Sequence, residues 1–404
     1  MNLLIEGKEK GIVKETGLTK KITINGHTEI YPVYKVNIDY LYFNDQNDRI
    51  ATWISQYKAD NNISQLDITD RESYNNIIHE FINQSNPKAI NQTQANIEMV
   101  DQREPGVILA DGRVIDGNRR FTCLRNLSEK NARFNYFETV ILEASLENNA
   151  KEIKMLELII QHGEESRVDY NPIDRLVGVY NDLIENKLLT PKEYADSINK
   201  SETEVNKQIE LSKLLVEFLE IINAPKQFYI ARDMDLYGPL VELYGILNKI
   251  KDEEKREDAK NAVFINFLVQ PHTDMTRFIR RVKTVASSSY LDDYLEKQIE
   301  IAEQVIEELP PVGKMNNKVI KEKFRSNEKV KESLKRSLEK AEGKAKSTES
   351  RNRPLQILCK IGDKLETIDT NIFMKLKEEE LSEIISKIDN LSELLEQIRK
   401  DANV

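Results

Sequence analysis

The run Val107-Ile-Leu-Ala-Asp-Gly-Arg-Val-Ile-Asp-Gly-Asn-Arg-Arg-Phe-Thr-Cys-Leu-Arg125 decides the reading of this chain. Val107, Ile108 and Leu109 read as a strand, Asp111-Gly112 as a tight hairpin turn, Arg113 to Ile115 as the return strand and Phe121 to Leu127 as a helix. Gly117, Asn118, Arg119 and Arg120 therefore fall where a strand feeds a helix. Such a junction exposes unpaired backbone N–H groups at the positive end of the helix dipole, and two guanidinium groups added there make a phosphate cradle. On the other reading the glycine only makes the turn and the arginines pair with surface carboxylates. Spacing leaves both open, because short glycine motifs recur by chance.

The order strand, Asp-Gly turn, strand, Gly-x-Arg-Arg, helix resembles the N-terminal domain of the ParB/sulfiredoxin superfamily, whose partition-protein members bind CTP through a Gly-x-Arg-Arg box. Upstream, Tyr34-Lys-Val-Asn-Ile-Asp-Tyr-Leu-Tyr-Phe-Asn-Asp-Gln-Asn-Asp-Arg-Ile50 is similar to the family's opening strand and Asn-rich turn ending in Arg, here Arg49. Downstream, Arg167-Val-Asp-Tyr-Asn-Pro-Ile-Asp174 is similar to the segment that closes the nucleotide domain and opens the helical one. The resemblance implies an α+β ParB/sulfiredoxin-like N-terminal domain, then an all-α region with a helix-turn-helix and a C-terminal helical hairpin or short coiled coil. It also implies a nucleotide triphosphate, CTP or ATP, with Mg²⁺. The residues it assigns to the nucleotide are Arg49, Gly117, Asn118, Arg119, Arg120, Gln161, His162 and Arg167.

One family element is altered. Where partition proteins carry a Glu-Asn-Leu-Gln-Arg stretch for metal and phosphate contacts, this chain has Gln161-His-Gly-Glu-Glu-Ser-Arg167, which keeps Arg167 but not Glu-Asn. Gln161, His162, Glu164 and Glu165 could hold Mg²⁺ directly or through water, since hard cations prefer oxygen ligands. Glu164 and Glu165 are the metal candidates and, with Asp116, the candidate catalytic acids. The other reading of Asp116 is the cap of the following helix, and His162 alone reads as an ordinary polar residue rather than a catalytic base. Sulfiredoxins carry a reactive cysteine inside the phosphate motif, but Asn118 stands at that place. Cys123, between Phe121 and Leu124, reads as a buried structural thiol, which argues against redox repair.

A chain of 404 residues with 39% hydrophobic and 32% charged residues is long enough for two or three domains. No run approaches the roughly 18 apolar residues of a membrane span, and the N-terminus lacks a signal-peptide pattern, so a cytoplasmic protein without membrane contact is expected. Cys123 and Cys359 have no metal-site spacing. A formal charge of −10 argues against indiscriminate coating of DNA, though not against a local basic surface.

The pattern mixes strands and helices up to about residue 146 and is helical beyond it. Lys21 to Ile24 and Glu29 to Val36 alternate around Asn25-Gly26, a hairpin signal. Arg49 to Tyr57 and Glu72 to Phe81 read as helices, and Tyr136 to Leu142 as a strand. The expected divisions are 22–146 for the nucleotide domain, 147–225 for the helical domain with the helix-turn-helix, 226–312 for a further helical domain, 313–353 for a basic linker and 354–404 for the C-terminal association segment.

Thr190-Pro-Lys-Glu193 is a capping box with Pro at the first helical position, and Ser201-Glu-Thr-Glu204 is a second. A short helix with Tyr194, Ala195 and Ile198 on one face, a turn at Asn199-Lys200 and a helix anchored by Val205 and Ile209 predict a helix-turn-helix. The run also resembles the ParB family segment at this distance from the nucleotide domain. The second helix would enter the major groove, with Lys200, Ser201, Thr203, Asn206, Lys207 and Gln208 meeting DNA. Glu202 and Glu204 sit beside them, and a packing or protein-binding role is the alternative.

Leu214 to Ile222, Leu236 to Ile250 and Ala259 to Phe267 read as core helices. Met275 to Val285 carries Arg277, Arg280, Arg281 and Lys283, a phosphate-facing stripe or a solvated face. Residues 314–353 hold fourteen Lys and Arg against six Glu and read in part as a flexible linker, with nucleic-acid contact as the alternative. Leu381, Ile388 and Leu395, and Ile384, Leu391 and Ile398, repeat every seven residues, suited to an antiparallel partner at Leu355 to Phe373 or to a homodimer. Together these expectations describe a ParB-like protein that binds nucleotide and DNA, with plasmid or chromosome partition as the implied setting. A nuclease or NTP-dependent phosphotransferase (a CTPase or ATPase among them) on the same scaffold, in plasmid, phage or defence biology, is the alternative.

Overall fold

The structure, a computed structural model, describes residues 2–24, 27–143, 150–163 and 171–402, without the side chains of residues 24 and 161–163. Alternation of apolar residues builds the N-terminal sheet from β1 (Val13–Ile24), β2 (His27–Asn37), β3 (Tyr42–Phe43), β4 (Gly106–Leu109), β5 (Arg113–Asp116) and β6 (Tyr136–Leu142). Their spatial order is β1-β2-β6-β4-β5-β3. The β1–β2, β2–β6 and β4–β5 pairs are antiparallel, while β4–β6 and β3–β5 are parallel. The turn expected at Asn25-Gly26 lies outside the described residues, but the strands flanking it pair as a hairpin from Ile24 and His27 outward.

The period of two sorts the strand residues to opposite faces. Ile108, Val114, Phe137 and Ile141 face a core built with α1 (Ala51–Asn61), α2 (Arg71–Ser85), α3 (Pro87–Val100) and α4 (Asn118–Ser128). Val107, Leu109, Ile115, Val140 and Leu142 face the other way, against Ile153, Leu156 and Ile160 of α5 (Ala150–Gly163). The sheet thus starts ahead of residue 22, and α5 is structurally part of it although it lies past residue 146.

Helices then follow without a strand among the described residues: α6 (Pro172–Val179), α7 (Pro191–Ile198), α8 (Glu202–Ile221), α9 (Phe228–Asp233), α10 (Tyr237–Leu247), α11 (Glu253–Val269), α12 (Met275–Ala286) and α13 (Leu291–Glu307). Phe218, Phe264 and Phe267 pack ring against ring at the centre of their core. The basic face of α12 is committed internally: Arg280 pairs with Glu242 and Arg281 with Glu342, each at 2.7 Å, and Arg277 reaches its own N-cap Asp274.

Residues 313–353, expected as a basic linker that is flexible in part, are largely helical. After a turn at Gly313 the chain enters α14 (Asn317–Val319), widens into a π turn to Phe324 and begins α15 (Glu328–Glu366). Ile320, Phe324, Leu334, Leu338 and Ala341 are buried in the helical core, so an apolar stripe at helical spacing holds the basic segment while its lysines face water.

Residues 343–404 form a second unit, holding the end of α15, a 3₁₀ turn at Thr370–Lys375 and α16 (Glu378–Ala402). Of the α16 residues that repeat every seven, Leu381, Ile384, Leu391 and Leu395 are half-buried while Ile388 and Ile398 are exposed. Leu355, Ile372, Ile388 and Leu394 are all at least half exposed, and no described residue of α16 is buried. The segment expected to oppose α16 is helical only to Glu366, and a 3₁₀ turn follows at Thr370–Lys375. No helix among the described residues is long and apolar enough to cross a membrane.

Candidate anion-binding site

The hairpin Leu109 to Arg113 returns the chain along β5, which delivers Asp116 and Gly117 to the start of α4. Gly117 has φ +95°, in the left-handed region, and a Cβ there would lie 2.8 Å from the Phe137 ring. Any other residue would be strained at that angle and would collide with the ring, so the turn needs glycine. Because Gly117 is the N-cap and has no side chain, the N–H groups of Asn118, Arg119 and Arg120 are left without a side-chain cap. Phe121, fully buried between Phe43 at 4.6 Å and Phe137 at 6.0 Å, fixes the helix against the sheet and so holds this open end in place.

The two arginines at this end have different fates. Arg120 reaches back to Asp116, Nη2 to Oδ2 at 2.9 Å. Asp116 therefore does not cap α4; it is ion-paired four residues along. Arg119 is half-buried, and among the described residues no carboxylate pairs with it. Burial, then the like charge of Arg49 beside it, both oppose its positive charge. A guanidinium so placed stays protonated, and an anion would relieve both penalties. Asn118 adds a buried side chain whose Oδ1 has no hydrogen-bond partner among the described residues.

Arg49 comes from the loop after β3. Asn47 accepts a hydrogen bond from the Arg49 N–H at 3.2 Å, making the Asx turn that opens the 3₁₀ turn Asp48–Ile50. The stretch from Asn44 to Arg49 thus sets Arg49 near enough to Arg119 for the two like charges to act on each other. The side chains of Gln161 and His162, and the whole of Glu164, Glu165 and Arg167, lie outside the described residues. Among the described residues no group of three His, Cys, Asp or Glu is arranged to hold a metal. Cys123 is fully buried, its thiol donating to the Ile90 carbonyl at 3.6 Å and pushed up to about 12 by burial, the inert state expected for it.

Behind Arg49 lies a group of charges that the motif does not announce. Lys154 of α5, 2% exposed, lies 2.8 Å from Asp48, 3.3 Å from Asp182 and 3.7 Å from Glu157, and donates to the Gln46 carbonyl. Burial opposes its charge, yet the three carboxylates overcome that and hold it protonated well above its ordinary range. Burial pushes Glu157 up to about 8 and Asp182 to about 7, with Lys154 partly offsetting the rise. Asn44 donates to Glu157 at 3.4 Å. Asp174 of α6 accepts from the Thr52 N–H at 2.9 Å and so caps α1, whose own N-cap, Ile50, supplies no side-chain bond; burial raises it to about 7. The sequence signal for this cluster is Lys154-x-x-Glu157 inside the apolar run Ile153 to Ile160: two charges one helical turn apart on a face otherwise destined for the core.

The α7–α8 pair forms as its capping boxes predict. Thr190 with Glu193 and Ser201 with Glu204 each exchange both capping bonds, and Asn199, at φ 54°, turns the chain between the helices. Tyr194, Ala195 and Val205 pack with Leu158 of α5, and Lys151 of α5 meets Glu193 at 2.6 Å. Lys200, Thr203, Asn206 and Lys207 lie on the solvent face. Ser201 is spent on the cap, and Gln208 is half-buried, reaching the Tyr237 hydroxyl at 3.4 Å in the packing of α8 against α10. Glu204 is likewise spent on the cap and on Lys200 at 3.5 Å, while Glu202 stays exposed.

No protein-family model matches the chain, and no curated protein matches it in sequence. Among solved structures it is similar to the C-terminally truncated chromosome-partitioning protein ParB from Caulobacter crescentus complexed with CTP-gamma-S, at 13% identity and a TM-score of 0.20, over 62% of this chain and 98% of that chain.

Proposed function

We propose that this chain is a ParB-like, nucleotide-dependent DNA-binding protein: the Gly117 turn with Arg119, Arg120 and Arg49 takes the phosphates of a nucleoside triphosphate, and the α7–α8 pair contacts DNA. The observation that carries the reading is Arg119, half-buried beside a like charge with no carboxylate partner among the described residues, at a helix N-terminus left uncapped. Phosphate oxygens would accept from the open N–H groups and both guanidinium planes. Mg²⁺ would come with the triphosphate, and Glu164 and Glu165 are the proposed residues to hold it. The exposed α16 stripe of Ile385, Ile388, Leu394 and Ile398 suits pairing with a second copy of the chain.

Equilibrium binding of CTP, ATP and GTP with Mg²⁺ tests the cradle. Arg119→Ala is expected to weaken the bound nucleotide by about tenfold or more, the usual loss for a charge-assisted phosphate contact of about 1.5–3 kcal/mol. Arg120→Ala is expected to lose less, because Asp116 already shares that guanidinium. If none of the three nucleotides binds, or all bind Arg119→Ala as well as wild type, the cradle reading fails.

DNA contact by α8 has its own test. Lys200→Ala with Lys207→Ala should reduce the dependence of log affinity on log salt by about 1–2, one counterion for each phosphate that a lysine no longer neutralises. An unchanged slope would remove α8 from the interface.

A further inference from the structure

Among the described residues, the buried charges behind Arg49 are unbalanced. Asp48, Glu157 and Asp182 bring three carboxylates to one ammonium, Lys154, and every one of these side chains is at least nine-tenths buried. A further cation is Arg49, the residue after Asp48, which acts electrostatically both on Glu157 and on Arg119. Arg49 is therefore shared between a carboxylate cluster on one side and the anion site on the other. Other charged groups facing the cluster are Asp174 of α6, with Arg232 of α9 behind it. From β5 and β1, Ile115 and Ile22 pack in one apolar cluster with Ile153, Leu156 and Ile160 of α5. Lys151, on the outer side of α5, is paired with Glu193 of α7.

We propose that anion binding at the cradle is linked to proton uptake by this buried cluster, with Glu157 taking the proton as the bound phosphates draw the field of Arg49 away from it. The inference rests on the cradle reading and concerns its regulation. An anion beside Arg49 makes the surroundings of Glu157 more negative, which favours its neutral form. The bound state then holds more protons than the free state, so affinity falls as pH rises. The window is set by groups already poised near neutrality: Glu157 at about 8 and Asp182 at about 7. Lys154 keeps its proton throughout and serves as the fixed cation of the device.

The test is calorimetric titration of the full chain with Mg-CTP and Mg-ATP at about pH 7.5 in buffers of different ionisation enthalpy, which counts protons directly, and the same titration from about pH 6.5 to 8.5. Wild type should take up a fraction of a proton, about 0.3–0.7, and its affinity should fall by about three- to tenfold across that range. Glu157→Gln, isosteric and unable to titrate, should bind as tightly as wild type at the acid end of the range and lose most of the fall. Comparing the two proteins cancels the ionisation of the nucleotide itself. Binding that is lost in Arg119→Ala but shows no proton uptake in wild type would overturn this inference and leave the cradle intact. Absence of nucleotide binding to wild type would overturn both. Should Glu157→Gln not fold, the buffer series on wild type decides, once the proton binding of the free Mg-nucleotide, titrated in the same buffers, is subtracted.

Discussion

Lys154→Met should destabilise the fold by about 3–5 kcal/mol at about pH 8.5, the cost of leaving buried carboxylates without their cation. The methionine fills nearly the same volume, so the loss comes from charge and not from a cavity. Three carboxylates converge on the lysine, and none of them is exposed enough to recruit water in its place. The sign of the pH dependence follows from the same groups. Glu157 and Asp182 sit at about 8 and about 7, above their ordinary 4.5 and 3.8. The folded state therefore binds more protons than the unfolded one between about pH 4 and 8, and stability falls as pH rises through that interval. Wild type should lose stability from about pH 5.5 to about pH 8.5, and Lys154→Met should lose more, because without the ammonium the carboxylates hold their protons to still higher pH. Urea unfolding at the two pH values measures both effects; equal midpoints for the two proteins at the alkaline value would refute the account of the cluster.

Gly178→Ala should cost about 1–3 kcal/mol, an overpacking penalty at a site that cannot relax. A Cβ at residue 178 would lie 2.5 Å from Cγ and Oδ2 of Asp48. The carboxylate cannot swing aside, since Lys154 holds its other oxygen at 2.8 Å. The strain must then pass into the backbone of Asp48, and Arg49 is the next residue. Nucleotide affinity should consequently fall together with stability in Gly178→Ala. Leu243→Ala, in the core of the distant helices, should lower stability by about 2–5 kcal/mol and leave affinity near wild type. If the two variants lose affinity alike, the Gly178 packing has no special hold on Arg49.

The parts of this architecture that can be read from sequence are those whose causes are local. The β4–turn–β5–α4 unit is written in one run of alternating residues, one Asp-Gly and one glycine. The ends of α7 and α8 are written in two capping boxes, and the structure places both N-termini at the predicted residues. Elements with distant causes are harder to see. The β3–β5 pair is two residues long and parallel, set by what lies beneath it and not by its own pattern. The helix α3, polar along most of its length, is held by Ile90 and Ile97 alone among its large apolar residues. In α15 the charges dominate the composition, and the stripe that makes it a helix is thin. The Lys154 cluster is the extreme case: Lys154 and Glu157 stand out inside the apolar run of α5, but Asp48 and Asp182 come from distant segments and look like ordinary surface charges until the fold assembles them. Of the cradle, Gly117 and the arginines are legible, whereas the pairing of Arg120 with Asp116, and the lack of a carboxylate for Arg119 among the described residues, depend on geometry.

Trp53, the only tryptophan of the chain, lies on α1 with the guanidinium of Arg232 from α9 stacked 4.1 Å above its ring. Arg232 also reaches Thr52 and Gln56 of the same helix. The indole therefore stands at the seam between the helices that cover the sheet and the helical core. A cation over an excited indole alters its emission, so tryptophan fluorescence, excited selectively over the fifteen tyrosines, reports a single place. Opening of that seam would change the signal while the circular dichroism of the surrounding helices stayed constant, which gives the chain a built-in optical gauge of whether its two layers part before they melt.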